Sequence, residues 1–350
     1  MLSSDDRHLP TDDATPAFSE SRSGAETSDA GSQADENFRR AIPAQVFLNH
    51  FFALSLHLKN GQSHEATPLP RLLKFRPRLR PDTEATVKRL LGNAWSTEYA
   101  LRNAICQPDD PFASSTLYWT FPQAFYSVFF SLRAFVYLHG LTVGDDEGTL
   151  RSFTGRLVTT GYYPAALSFY ADGDYNQPSL HGLPYGRHTP ERLATPNAER
   201  DAQAQLGQFL RATRRLQFTQ LRESNQANPG SALRNDRTGA ILTRFGAGDW
   251  RKLTPLLGPT TFYDLLTRLR ISDKYREVER YVEADIDFAL FHQSLVQIVG
   301  TLNGIHEAYV ARALGADAYR EYLNALRPYL RQAATERFDE RILPMFQAKT

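Results

Sequence analysis

The stretch FYSVFFSLRAFVYLHG, residues 125–140, carries ten large apolar or aromatic side chains around one arginine, Arg133, and one histidine, His139. An apolar run of this length closed by Gly140 reads as a buried helix over residues 121–138 rather than a strand. On a straight helix the six-residue spacing of Arg133 and His139 gives a rise of about 9 Å and directions about 120° apart. The two cannot address one point unless the helix ends early or a second subunit supplies one member of the pair. Arg133 is otherwise a cation whose stem lies along apolar surface, and His139 a helix-end imidazole favoured by the dipole.

The same helical period extends on both sides. Residues 45–59 predict a helix ended by Asn60-Gly61, and DTEATVKRLLGNAWSTEYALRNAI (82–105) predicts one capped at Asp82 or Thr83. Between them, PLPRLLKFRPRLRP carries four prolines and is expected as an extended arm projecting Arg71, Lys74, Arg76, Arg78 and Arg80. Further helices are expected at 150–160, 199–226, 260–270, 276–314 and 316–338, with FGAGDW (245–250) a turn between helices and 171–198 loop-like. No strand-like alternation lasts more than a few residues, and no repeat is visible. The fold class is therefore all-α, a helical bundle. The expected organisation is a disordered acidic tail (1–38), an N-terminal helix and basic arm (39–81), a bundle (82–315) with a loop-rich insertion at about 143–204, and a C-terminal helix (316–350).

The composition is 41% hydrophobic and 23% charged with a formal net charge of +1, ordinary for a globular protein. That total is unevenly distributed. Residues 1–36 hold nine acids against Arg7 and Arg22, a local −7, which leaves +8 on the remainder. A moderately basic body allows a polyanionic partner. The single cysteine, Cys106, excludes an internal disulfide and fits a reducing cytoplasm, and the QPDD beside it does not activate its thiol. Neither an export signal nor an uninterrupted membrane span is expected, because Gln45, Asn49, His50 and His57 break the apolar run near the start.

Several site chemistries fail on spacing. There is no Gly-rich loop ending in Lys-Ser or Lys-Thr, no Glu-x-x-His pair, and no Gly-x-Ser-x-Gly elbow; HEAYV (306–310) has Val310 where a zinc protease motif needs its second histidine. No metal and no cofactor is expected. What remains is arginine and histidine. Asp285, His292, Val299 and His306 recur every seven residues and form one seam, with Asn303 and Arg312 near it. They are either bundle histidines bonded to neighbours, or a polar seam that handles phosphate or a small ligand. Arg211, Arg214, Arg215 and Arg222 share one helix face, either a solvated charged face or, with the 71–80 arm, a phosphate-binding track.

At ASSTLYWTFPQAFYSVFFSLRAFVYLHGL (113–141) the chain resembles the HEPN superfamily of small helical bundles. LLGNAWSTEYALRNAI (90–105) is similar in character to that fold's first helix. LRISDKYREVERYVEADIDFALFHQSLVQIV (269–299) looks like its later portion. The resemblance covers roughly 88–142 and 205–315. It implies either a metal-independent endoribonuclease or a non-catalytic relative that binds nucleic acid, nucleotides or another protein, often in toxin–antitoxin or antiviral defence systems. It also implies a homodimer, with RNA and an antitoxin or defence-system protein as partners. Active members carry Arg, four to six residues, then His; Arg133 and His139 meet that spacing, with His292 and His306 as further catalytic candidates. The pair lies on the second-helix match, however, and neither His292 nor His306 has an arginine at that distance before it.

Overall fold

The computed structural model describes residues 29–61, 69–77, 79–104, 113–141, 147–190, 193–270 and 287–347, with side chains from residue 44 in the first helix and from residue 119 in the third. The architecture is mostly helical. Helix α1 (Asp29–Gly61) begins within the stretch expected as tail. Helix α2 (Pro81–Asn103) starts at Pro81 rather than at an Asp82 or Thr83 cap: Pro81 presets the helical φ, and Asp82 and Glu84 meet the positive end of the dipole. Helix α3 (Ala113–Tyr137) carries the apolar stretch, and α4 (Glu147–Thr159) follows.

After α4 come a 3₁₀ turn (Ala165–Leu167) and an antiparallel hairpin, β1 (Tyr170–Gly173) on β2 (Pro178–His181), with Tyr170 opposite His181. Then follow α5 (Glu199–Ala227), α6 (Ala247–Leu253) and α7 (Phe262–Leu266). The chain closes with α8 (Phe288–Leu314), α9 (Ala316–Asn324), α10 (Pro328–Arg337), a π turn (Phe338–Ile342) and α11 (Leu343–Gln347).

Helix α8 is the centre. Asp287 caps it by accepting from the Leu290 N–H at 2.8 Å, and Gly315, at φ 88°, ends it. Helices α1, α2 and α3 pack on it, and α5 packs on α1. Aromatic contacts weld these layers. Phe291 meets Phe51, Phe52 and Phe121 edge-on, and Phe135 stacks on Tyr309 at 4.5 Å.

Three sequence expectations change. Residues 143–204, expected as a loop-rich insertion, supply Phe153, Tyr163, Phe169 and Ala171 to the main core. Their hairpin is joined to the rest by an Ala171–Thr260 bridge. Four-residue strands are too short to announce themselves by alternation. The single helix expected at 316–338 is broken, because Pro328 drives Arg327 to extended backbone (ψ 144°). The arm at 71–80 is a 3₁₀ turn (Leu72–Lys74) docked through buried Leu69, Leu72 and Phe75.

Helix α7 is held by a reciprocal cap. Thr261 Oγ1 accepts from the Tyr263 N–H, and Asp264 Oδ2 accepts from the Thr261 N–H at 2.7 Å. Among the described residues no helix is long and apolar enough to cross a membrane.

Candidate functional site

Arg133 and His139 do not converge within the chain. The Arg133 guanidinium lies 5.3 Å from the Phe129 ring, one turn back along α3. His139 follows the helix end and is walled by Phe75, Phe135, Phe153 and Tyr162, whose ring centroids lie 5.1–5.4 Å away. Burial among these rings pushes His139 down to about 4. Its Nε2 is buried without a hydrogen-bond partner among the described residues. The two side chains share none of these ring contacts.

His306 is sealed completely. Its Nε2 lies 2.8 Å from the Tyr163 hydroxyl and its Nδ1 2.8 Å from Ser131 Oγ. One assignment of protons satisfies every group. Tyr163 donates to Nε2, Nδ1–H donates to Ser131, and Ser131 donates to Asn303 Oδ1 at 2.6 Å. The Asn303 amide in turn donates to Glu98 Oε2 and Ser127 Oγ. The other tautomer would leave the Asn303 carbonyl without this donor. Burial pushes the His306 ring down to about 3, so it is neutral. His292 donates from Nε2 to the Leu101 carbonyl (2.7 Å), one of the last carbonyls of α2. Asp285 lies outside the described residues. Arg312 reaches the Leu73 carbonyl. The seam therefore works as internal hydrogen bonding rather than as a groove.

At the far end of this chain sits a charge cluster absent from the sequence reading. Glu98 Oε1 accepts from Arg102 (2.7 Å) and from Arg337, whose other terminal nitrogen donates to Glu307 at 3.0 Å; Tyr319 also donates to Glu307. Burial alone would raise the Glu98 carboxyl, but Arg337 and Arg102 outweigh it and hold it below the usual range. Burial raises Glu307 despite Arg337. The i,i+4 spacing of Glu98 and Arg102 was visible in the sequence; the role of Arg337, 239 residues from Glu98, was not.

The arginine face of α5 splits. Arg214 is buried and donates to the carbonyls of Gly173 (2.9 and 2.6 Å) and Gly258 (3.0 Å). It is a staple between α5, the hairpin and the 258 loop, not a phosphate ligand. We expect Arg214→Met to lower unfolding free energy by about 2–3 kcal/mol in urea denaturation, since it strands several buried carbonyls. A loss under about 1 kcal/mol would mean those carbonyls find other donors. Arg222 pairs loosely with Glu223 at 3.9 Å. Arg71 donates to the Thr160 carbonyl, and Arg76 to those of Leu73 and Phe75. Lys74 and Arg80 are exposed, and Arg78 lies outside the described residues.

Arg211 and Arg215 remain at the surface, and the fold adds Arg187 to them. Arg211 Nη1 donates to the Gly186 carbonyl at 2.6 Å, which brings the 182–188 turn onto α5. Gly207 makes this approach possible: a Cβ there would lie 2.1 Å from the Gly186 oxygen. Burial, and then repulsion from Arg215 and Arg187, disfavours the charge on Arg211. No ion pair to a carboxylate is formed by Arg187, Arg211 or Arg215 among the described residues. Arg211 thus has two cations near enough to repel its charge, an arrangement that favours an anionic neighbour. The turn was passed over in the sequence as loop, although GLPYGRH places a cation between an aromatic and a histidine.

Among the described residues no three His, Cys, Asp or Glu side chains form a group that could hold a metal ion. Comparison of the chain with protein-family models, with curated proteins and with solved structures finds no match.

Proposed function

We propose that this chain is a HEPN-like helical module that binds RNA without cleaving it, using Arg187, Arg211 and Arg215 as its phosphate contacts. The observation that carries this reading is the crowding of Arg211 by Arg187 and Arg215 with no ion-paired carboxylate among the described residues. The fate of the histidines supports the non-catalytic half: His306 has both ring nitrogens committed in the core, and His139 is half-buried against aromatic rings with its Nε2 covered. A general acid or base must come within hydrogen-bond reach of the ribose hydroxyl it serves. The homodimer and the antitoxin or defence-system partner belong to the same proposal.

The test is fluorescence anisotropy of a labelled RNA between about 50 and 200 mM salt, where phosphate contacts make affinity fall steeply. Arg187→Gln and Arg215→Gln should each weaken binding and reduce the log–log salt slope by about 1. RNA held with the protein in EDTA should stay intact. Binding indifferent to salt would sink the electrostatic reading. Cleavage abolished by Arg133→Ala or His139→Ala would replace it with the ribonuclease.

A further inference from the structure

The 182–188 turn is hydrogen-bonded within itself and to α5. Gly186 N–H donates to the Leu183 carbonyl and His188 N–H to that of Tyr185, both at 3.0 Å. The Tyr185 N–H donates to Gln203 Oε1 on α5, also at 3.0 Å, and Arg211 holds the Gly186 carbonyl. Gly182, at φ 74°, lets the chain reverse against Phe169. On this hydrogen-bonded backbone Tyr185 is 44% exposed. The His188 ring lies 5.8 Å from it, and His188 Nδ1 accepts from Arg200 Nη2 at 3.2 Å, which fixes the imidazole by its neighbour on α5. On the same turn, Leu180, Gly182, Leu183, Pro184 and Arg187 line an open depression of about 360 Å³.

An exposed aromatic, an open depression of mixed polar and apolar lining, and three guanidiniums without an ion-paired carboxylate among the described residues, on one turn and one helix face, suit one ligand chemistry: an unpaired base attached to a phosphate backbone. Phosphates alone would be served by the arginines and would leave the ring idle. A duplex keeps its bases stacked inside and offers no face to Tyr185. We infer that the turn binds single-stranded RNA, one base stacking on Tyr185 while flanking phosphates lie on Arg187, Arg211 and Arg215. This rests on the RNA-binding reading above. It adds which strand state is bound and which residue reads it.

The experiment compares a short fluorescent oligouridylate with an RNA duplex of the same length, using the full chain and two variants. Tyr185→Ala should weaken oligouridylate binding by roughly tenfold, the scale of one lost base–aromatic stack, with the salt slope unchanged. Tyr185→Phe, which keeps the ring, should bind as the parent does, and the duplex should bind more weakly than the single strand. Circular dichroism of Tyr185→Ala should match the parent, since the ring is exposed. If both RNAs bind with a salt slope but Tyr185→Ala changes nothing, or the duplex binds as tightly, the stacking inference fails and the electrostatic reading stands. If neither RNA binds at any salt concentration, both fall.

Discussion

Replacing Arg337 by Met is expected to lower the unfolding free energy by about 3–5 kcal/mol, the scale found when one partner of a buried ion pair is removed. The side chain is only 11% exposed, and its partners Glu98 and Glu307 are 2% and 1% exposed. The intact pair need not be a large net stabiliser, because desolvation offsets much of the attraction. Removal of the cation differs in kind: it strands two carboxylates where water does not reach. Glu98 would keep Arg102, whose side chain is 42% exposed and so screened; Glu307 would keep only the Tyr319 hydroxyl among the partners described above. Arg102→Met should accordingly cost about 1 kcal/mol or less. Urea denaturation of both variants gives the comparison. Equal, small losses would mean that the cluster is hydrated.

Acidification gives the second large effect. His306 and His50 are each held at about 3 by burial, with Arg268 adding repulsion at His50, whereas an unfolded chain leaves histidine near its ordinary 6.5. Between those values the unfolded state binds more protons than the folded one, so stability rises with pH. The contribution is complete above about pH 6.5 and is lost progressively as pH falls toward about 3. Each histidine contributes about 1.4 kcal/mol per pH unit, so lowering the pH from about 6.5 to 5 should remove about 3–4 kcal/mol. Glu307 and Asp264, whose carboxyls burial raises, act in the opposite sense at the acidic end. The decisive reading is therefore the difference in slope between the parent and His306→Gln, about 1.4 kcal/mol per pH unit. Identical slopes would show that His306 is not the titrating group.

The helices were legible because they are local. Apolar spacing within 125–140, Gly140 as a stop and the helical period after Asp82 act through neighbours a few residues away, and so does the six-residue spacing of Arg133 and His139. The charge of the α5 face was legible too, but its sorting was not. Arg211, Arg214 and Arg215 look alike along the helix. They part company only because a hairpin and the 258 loop close over Arg214, while the 182–188 turn brings Arg187 beside the other two. Likewise Asn303 and His306 read as one polar seam, yet whether the seam faced a groove or a Tyr163 hydroxyl depended on a segment that looked like an insertion. By itself the sequence determined an all-α chain with cations and imidazoles at stated helix positions. Only the tertiary structure decided which of them water can reach, because burial is set by partners that are distant in sequence and close in space.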